Sequence, residues 1–471
     1  MITSTVAAVV MAVVVQDSSA LRAAPRDSAP QQAVLWQGDL LEVRGERIDH
    51  LQVWDHRRER AGFIKASQVR VLGLQESDAP QLLSVLRFLR DTPGAEALGM
   101  AYVAAYLKAA PAARIDAEPF DALGMMAERL ARRASSQKAG ETVSAHLEVA
   151  AQYGVTFRSF EREGRLQLCH DGEAFRRVLS MPASPQAQAR AVLALTRHDC
   201  IDPASLPLAR QDLDRQRAAL LDRLPPAQLA ELAEPVKQRL RVRRAGVWAT
   251  LAFQRARAGE GAAAAAQRAI DELAAVQKAE LADEDLVEYN DAALRVGASR
   301  WGALPALPPA GRLALRSEPG EPGQTCLLLG DAQARGAQAP LLRRCTFGTL
   351  WLSSARLHPD GRSAVVSVQP LEGWTELWVL RARAEGWTVD VLPPAASEPG
   401  LGYLEFAGWV PGGQKLLVAR EARIDGRLRR SFEVLSLQTL NTEKQASAPQ
   451  LLSIFGQWQD ARWKQQTVSL R

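Results

Sequence analysis

Two short motifs bring together the residue types that do most of the chemistry in proteins. They are Cys169-His170-Asp171 and His198-Asp199-Cys200. Two cysteines and two histidines could hold a zinc ion in a tetrahedral site. A cysteine with a histidine base could act as a nucleophile. The third interpretation is a disulfide between Cys169 and Cys200, which would leave both histidines exposed.

The spacing of these motifs favours the disulfide. Zinc sites that can be recognised in a sequence have closely spaced cysteines, whereas Cys169 and Cys200 are 31 residues apart. Neighbouring residues along a helix or strand point apart, so His170 is poorly placed to act as a base for Cys169. Cys326 and Cys345 form a second local pair, 19 residues apart. We therefore expect two disulfides, each stabilising the fold by about 3 kcal/mol, with no metal and no cofactor.

Composition and charge describe an ordinary globular protein. The chain of 471 residues is 47% hydrophobic and 24% charged, with a net charge of +5 and 8 lysines among its 58 basic residues. We expect no nucleic-acid partner, because the basic residues form no long tract and the cluster at 239–244 falls on a helical pattern. We also expect no transmembrane segment, since no apolar run reaches about 18 residues. Paired cysteines indicate an oxidising compartment, the periplasm or the cell exterior.

Residues 1–12 are a candidate remnant of a signal peptide. The segment 6–15 is apolar, like the core of such a signal, although no basic residues precede it. It continues directly into the first expected strand, at 13–16. We therefore expect the translation start to lie upstream of Met1.

Residues 13–74 have the pattern of a small all-β barrel. Short alternating runs are separated by Pro, Gly and Asp, and Gly38-Asp39 indicates a tight turn. The order of Leu21-Arg22-Ala23-Ala24-Pro25, Gln37-Gly38-Asp39 and Gly62-Phe63-Ile64 resembles the bacterial Src homology type 3 domain. This resemblance implies binding of cell-wall peptide or a protein partner. The alternative is a barrel that only caps the next domain.

Residues 75–300 are predicted to form an α-helical domain of antiparallel hairpins. Apolar residues recur at helical spacing, and prolines mark the breaks between the segments. Among the expected helices are 95–110, 141–153 and 226–259. The segment 157–168 is expected to include a short extended excursion.

Residues 301–309 form a Pro-rich linker, and from 310 to 471 the apolar period changes to two, which predicts a β domain. His358-Pro359-Asp360-Gly361 and Val410-Pro411-Gly412-Gly413 each place a turn between two strands, 52 residues apart. This repeat resembles the blades of TolB-like β-propellers. Two clear blades and one degenerate blade fit, fewer than the four of a closed propeller, so an incomplete propeller or a β-sandwich is expected.

The expected fold class is therefore multidomain α+β. It combines an N-terminal small all-β barrel, a central α-helical hairpin array and a C-terminal antiparallel β domain. Aromatic residues are the candidate binding residues because they can anchor a partner or stack on sugars when exposed. On buried strand faces they would only pack the sheets. The candidates are Trp36, Trp54, Phe63, Trp374, Trp378 and Trp409.

No phosphate-binding loop, nucleophile elbow or zinc-protease motif occurs in the sequence. We therefore expect a non-enzymatic binding or scaffold protein of the cell envelope. One alternative is a cell-wall hydrolase with a cleft in the helical domain, for which Glu141, Glu148 or Glu173 would be the acid to test. Another is a purely structural assembly subunit.

Overall fold

The computed structural model describes residues 10–136, 140–162, 164–306, 312–333, 339–396, 399–412 and 414–466. The fold is mixed α+β, and the described residues form 13 α-helices and several antiparallel sheets. The chain divides into two compact units. The first comprises Met1–Leu206 and Leu224–Leu232, and the second comprises Pro207–Arg223 and Ala233–Arg471. None of the described helices is both long and apolar enough to cross a membrane.

The first unit begins with a seven-stranded sheet. Its strands are β1 Val10–Val14, β2 Ser19–Arg22, β3 Gln31–Leu35, β4 Leu40–Arg47, β5 His50–Asp55, β6 Arg60–Lys65 and β7 Val69–Leu72. Strand β1 starts inside the segment that the sequence analysis assigned to a signal remnant, and residues 1–9 lie outside the described part. Met11 and Ala12 pair with both β4 and β7, so β1 is an inner strand of the sheet. Its continuous apolar run suits a strand that is buried on both faces.

The described pairings leave this sheet open, so the predicted small all-β barrel is not a closed barrel. The strand order is β3-β2-β6-β5-β4-β1-β7, and among the described residues no pairing joins β3 to β7. These two edge strands have only five and four residues, and closure requires each edge to find a second partner. One face still buries a shared core that includes Val14, Leu35 and Val53.

The rest of the first unit is helical apart from one hairpin. Its elements are α1 Ala79–Arg90, α2 Glu96–Ala109, α3 Glu118–Ala134, α4 Glu141–Gln152, β8 Phe157–Arg162, β9 Arg165–His170, α5 Glu173–Ser180, α6 Pro185–Leu195 and α8 Pro226–Glu231. The helices predicted at 95–110 and 141–153 are confirmed as α2 and α4. The expected extended excursion is the hairpin β8–β9.

The second unit contains the remaining helices and a β domain. Its helices are α7 Pro207–Asp222, α9 Glu234–Arg257, α10 Ala263–Ala274, α11 Leu286–Ser299, α12 Ser453–Trp458 and α13 Ala461–Gln466. The single helix predicted at 226–259 is wrong, because α8 ends at Glu231 and α9 starts at Glu234. Pro235 lies in the first turn of α9, where proline favours a helix start over a continuous helix.

The β domain contains eleven described strands. They are β10 Leu313–Pro319, β11 Thr325–Asp331, β12 Leu342–Thr346, β13 Thr349–Leu357, β14 Ser363–Leu371, β15 Trp374–Arg383, β16 Gly386–Leu392, β17 Gly402–Val410, β18 Lys415–Ile424, β19 Arg427–Ser436 and β20 Thr442–Ala446. β10–β12 form a three-stranded antiparallel sheet. β13–β16 and β17–β20 form two four-stranded antiparallel meanders.

The two meanders join into one eight-stranded sheet through a short parallel contact. Trp374 pairs with Gly402, and Thr375 pairs with Tyr403. The elements of the β domain pack in layers. Side chains of β10–β12 and of the first meander share one core, and side chains of the two meanders share a second. A third core joins the second meander to α12 and α13. The predicted turn at His358-Pro359-Asp360-Gly361 is confirmed as the hairpin connection β13–β14. The second predicted turn falls between β17 and β18, and its Gly413 lies outside the described residues.

Candidate functional site

The outer face of β4, β5 and β6 brings together two of the predicted aromatic residues. In β5 Val53 is buried, whereas the alternate residues Gln52 and Trp54 are partly exposed. Phe63 on β6 lies opposite Gln52, and Ala61 lies opposite Trp54. Because opposite residues share a face, Trp54 and Phe63 form a diagonal pair on this face, with backbones roughly 7 Å apart. We call this surface the aromatic face.

Paired charges surround Trp54 on the aromatic face. The Arg44 guanidinium carbon lies 4.7 Å from the centre of the indole ring. Arg44 Nε donates to Glu42 Oε1 at 3.0 Å, and His56 Nε2 lies 2.7 Å from Glu42 Oε2. Both hydrogen bonds lower the pKa of the Glu42 carboxyl, and the one from Arg44 has the larger effect. The carboxylate therefore holds Arg44 over the ring and leaves an apolar surface with a polar edge.

Trp36 lies outside the strands, in the tight turn after β3. Its backbone N–H donates to Asp39 Oδ2 at 2.9 Å, and its side chain is partly buried. Asp39 is buried and also accepts from Arg58 Nη2 at 3.2 Å. The turn itself is as predicted. Gly38 has φ +90°, and an added Cβ would lie 2.6 Å from the Ala97 carbonyl oxygen of α2, so glycine is required there.

The sheet is fixed to the helices of its own unit by polar and apolar contacts. Buried His146 on α4 places Nε2 2.8 Å from Asp17 Oδ1, and the Tyr153 hydroxyl donates to the Gly38 carbonyl at 2.5 Å. Burial, with a smaller contribution from Asp39, raises the pKa of Tyr153. Val13 also packs in one core with residues of α1 and α2. Such contacts are expected if the sheet caps the helical part of the unit. They do not involve Trp54 or Phe63 of the aromatic face.

Cys169 and Cys200 form a disulfide, as predicted. Their sulfurs are therefore unavailable as metal ligands or nucleophiles in this form. The expectation of exposed histidines is wrong for His170, whose side chain is 4% exposed and whose ring contacts Phe157 and Phe175 edge to face. The pKa of His170 is lowered, mainly because the ring is buried. The described residues contain no group of three or more side chains placed to hold a metal ion.

The second predicted disulfide, Cys326–Cys345, is also present. The two cysteines lie opposite each other on the neighbouring strands β11 and β12. Cys326 is fully buried. This disulfide therefore links two adjacent strands, whereas Cys169–Cys200 links a strand to a turn after α6.

The candidate tryptophans of the β domain are mostly inside it. Trp374 and Trp378 on β15 are 2% and 4% exposed. Trp409 on β17 is partly buried, and its ring centre lies 4.8 Å from that of Phe406 and 5.0 Å from that of His358. The packing alternative concerned Trp378 and Trp409, and it is confirmed for Trp378, while Trp409 is only partly buried. Trp374 is buried as well, so the three residues do not form one exposed surface.

The structure also singles out Glu376, which the sequence analysis missed. It lies between Trp374 and Trp378 on β15, and the three residues alternate with Thr375 and Leu377. Burial raises the pKa of the Glu376 carboxyl, and the two neighbouring indoles partly offset this effect. The period of two in Trp-x-Glu-x-Trp was visible in the sequence. It becomes informative only once both tryptophans are known to be buried.

The three glutamates proposed for the hydrolase alternative lie on exposed helix surfaces. Glu141 is in the first turn of α4, and Glu148 on the same helix forms an ion pair with Arg57. Glu173 on α5 pairs with Arg176, with Nε and Oε2 3.3 Å apart. The structure does not group these carboxylates in one cleft.

No protein-family model, curated protein or solved structure matches this chain. The geometry of its own residues is therefore the basis for the functional conclusion.

Proposed function

We propose that this chain is a non-enzymatic binding or scaffold protein of the cell envelope and that the aromatic face holds an extended peptide. The peptide would come from the cell wall or from a partner protein. The observation that carries this proposal is the pairing of partly exposed Trp54 and Phe63 on neighbouring strands. Aromatic side chains on a rigid strand offer a large contact area at a small cost in conformational entropy.

The edge of the aromatic face would provide orientation. Arg44 and His56 both bind Glu42, which holds the two side chains in place. Their other N–H groups can then donate to a ligand. A peptide that lies across Trp54 would meet these groups with its carbonyl or carboxylate oxygens. Aromatic anchors surrounded by polar groups are typical of binding surfaces.

The proposed compartment is the periplasm or the cell exterior. The two disulfides are compatible with it, because disulfides persist where thiols are not kept reduced. We also propose that two parts of the fold are related to known domain families. The Gly-Asp turn and the self-contained core of the first sheet support a relation to Src homology type 3 domains. The two meanders that follow similar turns support a relation to TolB-like propeller repeats.

A peptidoglycan pull-down, run beside an assay for released muropeptides, tests this proposal. We expect the intact chain to be retained without releasing muropeptides. Trp54→Ala should weaken retention at least about tenfold, the effect typical of an aromatic anchor. A soluble stem peptide should compete if the ligand is the wall. If it does not compete, capture of envelope proteins by the intact chain and not by Trp54→Ala would identify a protein segment as the ligand.

Phe88→Ala is the matched control. Phe88 is 71% exposed on α1, outside the strands that form the aromatic face, so its loss removes a surface aromatic residue from the same unit. It should leave retention unchanged. Equal retention and capture by Trp54→Ala and the intact chain would contradict the proposal, and release of muropeptides would favour the hydrolase alternative.

A further inference from the structure

A cleft with a cavity volume of about 940 Å³ lies beside the three-stranded sheet in the second unit. Ala314 and Arg316 of β10 and Leu328 of β11 line it, whereas the alternate residues Leu327 and Leu329 belong to the buried core on the opposite face. Trp387 and the turn that contains Pro359 form another part of the lining. The volume is in the range of pockets that hold small ligands and short peptides.

The strands position two arginines along this cleft. Arg312 precedes β10 and Arg316 lies within it, so they are four residues apart and share the cleft side. At about 3.3 Å per residue, their backbones are about 13 Å apart. Arg316 lies opposite Leu328, which lies opposite Arg343 on β12. Two residues further along the same face, the Cys326–Cys345 disulfide joins β11 to β12. It restrains the strands that carry Leu328 and Arg343.

The lining has equal numbers of arginines and carboxylates, but their pairing is unequal. Glu318 accepts from Arg343 Nε at 2.9 Å. Asp331 accepts from the Gln333 backbone N–H at 2.8 Å, and Asp360 accepts from a backbone N–H and lies 2.8 Å from a histidine nitrogen. Within the part of the chain that the structure describes, Arg312 and Arg316 have no such partner. Among the described residues of the lining, Arg312 and Arg316 are therefore two guanidinium groups without a hydrogen-bond or ion-pair partner, whereas each carboxylate accepts at least one hydrogen bond.

We propose that this cleft binds an acidic peptide segment in an extended conformation, with carboxylates four residues apart. Each guanidinium would donate two hydrogen bonds to one carboxylate, a planar geometry that lysine cannot reproduce. An extended strand has the same rise per residue as β10, so side chains four positions apart match Arg312 and Arg316. Between them the peptide would cross the small and apolar floor at Ala314 and Leu328. This site is separate from the aromatic face and does not depend on it.

Fluorescence anisotropy with the intact chain tests the proposal. The probe is a fluorescein-labelled pentapeptide with glutamate at its first and last positions and alanine between them. We expect saturable binding that weakens as salt is raised, because exposed ion pairs are screened. A peptide with two lysines should not bind, and one with adjacent glutamates should bind more weakly. Arg312→Ala and Arg316→Ala should each weaken binding about tenfold, and Arg316→Lys should have a smaller effect.

Arg429→Ala is the matched control, because Arg429 is an exposed arginine on β19 outside the cleft. It should bind the probe like the unmodified chain. Arg312 and Arg316 are exposed, so their variants should fold, and their melting temperatures check this. The proposal is overturned if the probe does not bind at millimolar concentration, or if it binds Arg312→Ala and Arg316→Ala as tightly as Arg429→Ala. Displacement of the probe by inorganic phosphate as readily as by unlabelled peptide would also overturn it.

Discussion

Trp54 in the first unit and Trp378 in the second both lie on strands that have a partner strand on each side, yet their surroundings differ. β5 packs one face against a core and leaves Trp54 partly exposed on the other. β15 has packed layers on both faces, so Trp378 is 4% exposed. A strand's own sequence shows which residues share a face. It does not show whether a second layer covers that face.

The largest expected effect is the loss of Trp378. Trp378→Ala should destabilise the second unit by about 3–5 kcal/mol, because it removes a buried ring and leaves a cavity between two layers. Urea unfolding followed by circular dichroism measures this change. A loss below about 1 kcal/mol would mean that the ring is not packed as described, and the contrast with Trp54 would fail.

Removal of the two disulfides should give the next largest effects. On the chain-entropy model, replacing Cys169 and Cys200 by alanine should cost about 3.7 kcal/mol for a loop of 31 residues. The same change at Cys326 and Cys345 should cost about 3.2 kcal/mol for a loop of 19 residues. Urea unfolding of the two double variants compares the units directly. A larger loss of stability on removal of Cys326–Cys345 than of Cys169–Cys200 would show that local contacts outweigh loop length.

Trp54→Ala should cost about 1 kcal/mol, chiefly through the lost stacking with Arg44. The ring is already partly exposed, so little cavity forms. The same unfolding experiment gives the value, with Phe88→Ala as the control. A cost equal to that of Trp378→Ala would show that the outer face is covered and would remove the basis for a binding surface.

The smallest expected effect is that of pH on Glu376. Burial raises its folded-state pKa above 4.5, so the folded state holds its proton more tightly than the unfolded chain does. Its stabilising contribution is therefore full below pH 4.5 and is lost as the pH rises through the raised pKa. Glu376→Gln should remove this dependence and stabilise the second unit at neutral pH, by less than Trp54→Ala destabilises the first, because the Glu376 side chain is partly exposed. Urea unfolding at pH 4 and pH 7 measures the free energy of unfolding of the unmodified chain and of Glu376→Gln. The same change in this free energy between the two pH values in both proteins would contradict the prediction.

Local signals in the sequence predicted much of the local structure. Helical spacing located α2 and α4, and cysteine spacing predicted both disulfides. The break before α9 was missed, because a proline can either interrupt a helix or begin a new one. The sequence pattern also could not show that β3 and β7 remain unpaired with each other, since closure depends on strand length and curvature together.

The candidate sites were harder to predict for the same reason. Trp54 and Phe63 are nine positions apart and become neighbours only through the register of β5 and β6. Arg312 and Arg316 become notable because the carboxylates near them have other partners. Neither fact is encoded in a short motif. Both follow from which strands pair and which side chains those pairings bring together.

Two registered residue pairs, Trp374–Gly402 and Thr375–Tyr403, are the parallel ladder that connects the two meanders. Because the backbone ladder between the meanders is so short, the side chains of the core that they share are the main connection between them.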